Sequence, residues 1–219
     1  MASIPLPNGA KVAIATTLGS ALPVTAVTNA NPAVATSTAH GLSDGAIVVA
    51  SAPGWSLLDN SVRRVDDGTT NNFEFEGLNS TSTDRFPAGG GVGSVRAITA
   101  WTQVPKIPSF ESTGGDPKSG TTSYLDFEQD QEFFTGTNPI RLNFTVSYAP
   151  DSAQHAALQA ANDSGELTVI RLVLKGGRTL YYPGTLFFNP IPVTTKDNEM
   201  VNNVSLALQG AFTSYGVAA

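Results

Sequence analysis

Residues 141–149 alternate without a break. Leu142, Phe144, Val146 and Tyr148 fall on one side, and Arg141, Asn143, Thr145 and Ser147 on the other. A period of two marks a half-buried strand, because successive side chains point to opposite faces of the pleat. Residues 200–209 repeat the pattern, with Val204, Leu206 and Leu208 inward and Asn203, Ser205 and Gln209 outward. Between these runs lies the one segment with helical signals, residues 151–162. Pro150-Asp151-Ser152 supplies a start, Ala153, Ala156, Ala157, Leu158 and Ala160 are good helix formers, and residues 162–165 supply a stop. Residues 167–175 predict a strand that Gly176-Gly177 turns into residues 178–182. Pro183-Gly184 then interrupts, and residues 185–189 continue.

The first half of the chain is more finely divided. After the strand-like run KVAIATTL within residues 10–18, short β-like runs recur at 46–50, 61–65, 72–76 and 94–98. Asn31-Pro32, Asp44-Gly45, Pro53-Gly54, Asp67-Gly68 and a glycine cluster at 89–91 separate them. This spacing predicts a small all-β module over residues 25–97. It would be inserted in a larger domain made of residues 1–24 and 98–219. From Trp101 the chain reads as extended and proline-broken, residues 109–120 read as loop, and residues 124–138 show no period. The fold class expected is mainly β: an antiparallel β-sandwich or barrel with one flanking α-helix, plus the inserted module.

Composition narrows the function classes. Only 14% of residues are charged, against roughly 25% in an average soluble protein. The 24 Thr and 19 Ser favour strands and turns over a helical bundle. With no cysteine, a disulfide framework, an iron–sulfur cluster and a thiol nucleophile are excluded. No apolar run is long enough to span a membrane as a helix, and MASIPLPNGAKV lacks the basic-then-apolar order of a secretory leader, so neither is expected. The net charge is −6, and neither half of the chain is basic, so no footprint for tight duplex binding exists.

Candidate chemistry is sparse. His40 sits in a turn and His155 on the helix, with no triad or HExxH spacing around them, so each reads as structural or exposed rather than catalytic. The acids in DFEQDQE, residues 126–132, lack the order of a calcium loop and read as a solvated face. The glycine-rich stretch at 89–94 is followed by no Lys-Ser/Thr and no predicted helix, so it is not a phosphate cradle. No catalytic, cofactor-binding or metal residue is assigned. The segment holding Tyr124, Leu125, Asp126, Phe127, Glu128, Phe133 and Phe134 remains to be explained. It is either a loop folded back over its own core or a contact surface, since aromatics in a polar frame make good interface anchors.

The order of elements resembles the major tail tube protein of long-tailed, non-contractile bacteriophages, the lambda-like siphovirus type. The residues that carry the resemblance are KVAIATT, ITAWTQVPKIPSFESTGG, LTVIRLVLKGGRTLYYPGTLFFNPIPVT and NNVSLALQGAF, covering about 8–24 and 98–212. Residues 25–97 depart from the lambda type. They resemble a small β module found inserted in many phage tail proteins, and are similar to a β domain of ubiquitin-activating enzymes, whose thioester chemistry the absent cysteine forbids.

The resemblance implies a structural virion protein without catalytic residues: six copies per ring, rings stacked into a tube, a conduit for DNA ejection. It implies assembly in the host bacterial cytoplasm, with tape measure, tail tip or initiator and tail terminator proteins as partners. DNA would pass without specific binding, and no cofactor or membrane would be involved. Tyr124, Leu125, Asp126, Phe127, Glu128, Phe133 and Phe134 would form the ring-stacking interface. Asn143, Thr145, Ser147, Asn203, Ser205 and Gln209 would line the lumen. Two alternatives stay open: another tail or baseplate component with the same β core, such as a tail terminator or distal tail protein, and a carbohydrate-binding module with Trp55 or Trp101 as the sugar platform.

Overall fold

The structure, a computed structural model, describes residues 9–126 and 128–216. Sixteen strands and one helix fill it. β1 is Lys11–Leu18, β2 Leu22–Val24, β3 Ala26–Val27, β4 Ala33–Thr36, β5 Ile47–Ser51, β6 Ser61–Asp66, β7 Asn72–Phe75 and β8 Gly93–Val104. There follow β9 (Phe110–Thr113), β10 (Pro117–Thr122), β11 (Gln131–Thr137), β12 (Arg141–Ser147), helix α1 (Ala153–Ser164), β13 (Leu167–Val173), β14 (Thr179–Phe188), β15 (Val201–Leu208) and β16 (Thr213–Tyr215).

The larger part is an antiparallel sheet in the order β8-β1-β13-β14-β15-β12-β9. Val12, Ile14 and Ile170 from one end and Leu142, Phe144, Val146, Val204 and Leu206 from the other share one buried cluster. A sheet whose two ends meet in one cluster must curl around it. Its opposite side therefore looks outward in diverging directions at the two ends. Helix α1 covers the cluster with Leu158, Ala157 and Ala161.

The helix starts where expected: Ser152 is the N-cap, its Oγ accepting from the His155 N–H, and Gly165 closes the helix in the left-handed conformation. Ser152→Ala should cost about 1 kcal/mol. Chemical denaturation measures this, and a change below a few tenths would show that the helix is held by packing alone.

Residues between Val24 and Val95 bury a second core of their own, around Trp55, Phe73, Phe75, Phe86 and Leu58. The two cores are joined by β8. Its first part, from Gly93, pairs with β2 and β5, and its later part, from Ile98, pairs with β1. The expected boundary at 97/98 thus falls inside one unbroken strand. A third cluster also bridges the two parts: Val49 and Val62 pack with Val169, Tyr181, Tyr215 and Ile98.

Three sequence expectations are corrected. Residues 109–120 are not loop but hold β9 and β10, and residues 131–137 of the expected loop form β11. β10 and β11 have no apolar period because neither face of their ribbon is backed by a core, and β9 is too short to show one. Residues 22–36, to which no strand was assigned, hold β2, β3 and β4, which are too short to show a period. Pro183-Gly184 does not interrupt but lies within β14. The Pro183 carbonyl accepts from Gln209 N–H, so its missing N–H would point into the gap between β15 and β16, where no ladder bond is lost. Gly184 is required there, because a Cβ would lie 2.4 Å from the Ala207 carbonyl oxygen.

Candidate assembly surfaces

The chain between β9 and β12 leaves the main sheet and returns. At the root, Gly114 has φ +86 and leaves no room for a Cβ against the Pro139 carbonyl. Asn138 N–H donates to Asp116 O and Gly115 N–H to Asn138 O, so the two arms are clamped. β10 and β11 then pair only with each other, from Pro117↔Thr137 to Thr122↔Gln131. A bulge after Lys118 leaves Thr135 without a register partner, and its Oγ1 donates to the Lys118 carbonyl.

Phe133 and Phe134 are consecutive on β11, so they point to opposite faces of the ribbon, and they are 51% and 67% exposed. Tyr124 is half exposed and Leu125 fully exposed near the tip, where Asp126 and Glu128 are also in solvent. Phe127 lies outside the described residues. Of the two sequence readings, folding back over the subunit's own core does not hold for the described members of this set.

The second surface is the outward side of β9, β12, β15 and the end of β14. Residues opposite each other across a ladder share a face, so Glu111, Asn143, Ser205 and Phe187 form one row. Thr113, Arg141, Ala207 and Thr185 form the next, and Thr145 stands beside Asn203. Side-chain bonds stitch these strands: Ser205 Oγ to Asn143 Oδ1 at 2.9 Å, Asn143 Nδ2 to Thr113 Oγ1 at 3.1 Å, and the Ser109 and Thr145 hydroxyls at 3.1 Å. Asn203 and Gln209 are exposed. Ser147 is corrected: it is buried, its Oγ donating to the Lys106 carbonyl, because the β8–β9 connection crosses over it. Phe187, 52% exposed on this face, was not singled out by the sequence reading, which continued the strand over residues 185–189 without assigning its faces.

The third surface is the seam between the two cores. Thr213 Oγ1 donates to Val62 O at 2.9 Å, and Arg64 N–H donates to Tyr215 Oη at 3.1 Å. The Arg64 guanidinium lies 4.9 Å from the Tyr215 ring centre and is paired with Glu76. Burial raises the Tyr181 and Tyr182 hydroxyls above the ordinary phenolic range, with Arg171 and Arg64 opposing this at Tyr181. Among the described residues Arg171 has no salt-bridge partner; its guanidinium stacks 4.4 Å from the Trp101 ring centre, at the β13 end of the sheet side that carries Asn143 and Ser205.

Residues weighed for chemistry are occupied structurally. The His40 ring is buried edge-on to Phe73, with Nδ1 accepting from Leu42 N–H. His155 stands edge-on to Phe188. Among the described residues no cluster of His, Asp and Glu is arranged to hold a metal ion, and no helix is long and apolar enough to cross a membrane. Trp55 is corrected as a sugar platform, being fully buried with its indole N–H on the Pro87 carbonyl at 2.7 Å.

Comparison with known proteins gives a family match over most of the chain. The family model described as phage tail tube protein matches residues 53–217. No curated protein matches significantly. Among solved structures, the tail of an empty GTA particle, refined with C6 symmetry, is 9% identical at a TM-score of 0.41, covering 54% of this chain and 88% of that one. The virion of a native gene transfer agent particle is 9% identical at 0.39, covering 53% and 89%. The anti-feeding prophage baseplate is 10% identical at 0.39, covering 56% and 88%.

Proposed function

Because the chain belongs to the phage tail tube protein family, and is thereby a structural subunit of a virion tail, we propose that its copies close into six-membered rings that stack into a DNA conduit. The observation that carries this reading is the β10–β11 hairpin. A two-stranded ribbon is marginal by itself. One with an exposed phenylalanine on each face cannot bury both against its own subunit. It calls for partners on two sides, as a ribbon lodged between stacked copies would have.

The hairpin, with Tyr124, Leu125, Asp126, Phe127, Glu128, Phe133 and Phe134, serves ring stacking. The unit at 25–97 sits on the tube's outer side. Its support is that it covers the β1–β8–β13 end of the sheet, while the bare polar face lies at the other end of a sheet that curls between them. The subunit carries out no reaction; tape measure, tail tip and terminator proteins are its partners.

Negative-stain microscopy of the concentrated protein tests the reading. Rings of six and stacked tubes are expected; a protein that stays monomeric at every concentration, with the tail-tip initiator added, would refute it.

The bare face, with Asn143, Thr145, Asn203, Ser205 and Gln209, lines the bore. Each phosphate–cation contact would act as a salt-dependent brake on a sliding duplex, and a polar lining without such contacts lets it pass. Arg141 is a cation on this face and stands one row from Glu111. Assembled tubes should therefore retain no duplex DNA in co-sedimentation at moderate salt. Stoichiometric retention that disappears on raising the salt would contradict the assignment.

A further inference from the structure

An open pocket of about 300 Å³ lies on the seam between the two cores, lined by Arg63, Glu76, Arg178, Ser214, Tyr215 and Gly216 among others. It collects cations in a chain that is acidic overall. Arg64 is neutralised at its edge by Glu76, which accepts from two of its guanidinium nitrogens. Among the described residues neither Arg63 nor Arg178 has an acidic partner. Arg63 donates to the Ser61 hydroxyl at 3.1 Å and the Leu57 carbonyl at 3.3 Å, and Arg178 donates to the Ser214 hydroxyl at 2.9 Å. These acceptors are neutral. Desolvation by burial pulls the Arg63 guanidinium below its ordinary range, opposed by Tyr215. A half-buried cation without a counter-ion is costly, and an anion entering the pocket offsets that cost.

The matching anion is carried by the hairpin of the same chain. Residues 116–137 carry five acids and one lysine, so this hairpin holds a net −4 of the chain's −6. Asp126, Glu128, Asp130 and Glu132 are all exposed, and among the described residues no salt bridge engages them. The hairpin strands pair only with each other, and among the described residues no salt bridge joins the hairpin to an arginine of its own subunit.

We propose that the Arg63–Arg178 pocket is a carboxylate-binding site that receives the acidic hairpin tip of a second copy of this chain. This rests on the tail tube reading only in that the copies must repeat. Arg178, exposed at the start of β14, is the arm that meets the carboxylate first, and its planar fork can take two oxygens at once. Arg63 sits deeper and holds the charge in place. The aromatics of the hairpin supply buried area, while the pocket fixes which surface they land on.

Cross-linking tests this directly. Copies of an Arg178→Lys variant, half of them isotope-labelled, are mixed and treated with a water-soluble carbodiimide. The reagent activates a carboxylate, the amine displaces it, an amide forms, and the carbodiimide leaves as its urea. Mass spectrometry should find position 178 joined to Asp126, Glu128, Asp130 or Glu132 of a differently labelled copy, and raised salt should suppress the product. No such product, or one confined to a single copy, overturns the proposal.

A charge swap gives the second measurement. Arg178→Glu should raise the concentration needed for assembly about tenfold or more, and adding Asp130→Lys and Glu132→Lys should recover most of it. Circular dichroism confirms that each variant is folded. Wild-type tubes with an unmoved Arg178→Glu threshold would remove this proposal and leave the tail tube reading standing. Cross-links between copies that never form rings would do the reverse.

Discussion

Replacing Phe133 and Phe134 together by serine is expected to abolish tube formation while leaving the subunit folded. Both rings are already more than half in solvent, so the folded subunit loses little. Exposed substitutions generally move stability by about 0.5 kcal/mol or less, which for a domain of this length is about 2 °C in melting temperature. The assembled state would lose two aromatic anchors per subunit, and hot-spot residues of this kind cost about 2 kcal/mol or more each when truncated. Repeated at every ring, that loss removes assembly rather than weakening it. Thermal melts and negative-stain grids of the same sample provide the measurement. A large drop in melting temperature would show that the phenylalanines support the subunit's own fold, and intact tubes would show that stacking lies elsewhere.

Trp55→Ala is the substitution expected to cost the most stability, about 3–5 kcal/mol. The ring is fully buried and lies edge-on to Phe86 with centroids 5.0 Å apart. Truncation empties the centre of the smaller core and removes the 2.7 Å indole N–H bond from the Pro87 carbonyl, leaving it only the Gly90 N–H. The melting temperature should fall by about 10 °C, at about 2–4 °C per kcal/mol for a domain of this size. Hydrogen exchange then separates the two cores. Amides of β4, β5, β6 and β7 should lose protection well before those of β12 and β15. Equal loss throughout would mean that the two cores unfold as one unit.

Most of the larger sheet was legible in the sequence, and the reason is burial on one side only. β12 and β15 have a wet face and a dry face, so their alternation was visible, and the inward set Leu142, Phe144, Val146, Val204 and Leu206 is the buried one. The helix could be read because Ser152 and Gly165 cap it with residues suited to those roles. The hairpin strands could not, because PKSGTT and QEFFTGT have no core to face. The aromatics there were singled out, yet their setting on two sides of a ribbon depends on pairing, which no local pattern encodes. Ser147 illustrates a different limit: it follows the outward phase of its strand, but a connection from elsewhere in the chain lies over it. The arginine pocket was equally hidden, since it joins β6 and β7 to β14 and β16, residues more than a hundred positions apart.

The twelve-residue strand β8 has a mechanical meaning. Its ladder bonds to β1 and to β5 run perpendicular to the strand, so a tug along β8 strains many of them in shear at once, whereas an ordinary tether would let them peel one by one. With Thr213 and Tyr215 bonded across to β6 at the far side of the seam, the small unit is anchored at two points and resists swivelling. When a flexing filament drags against its surroundings, such an appendage passes the load into the wall instead of absorbing it as a hinge.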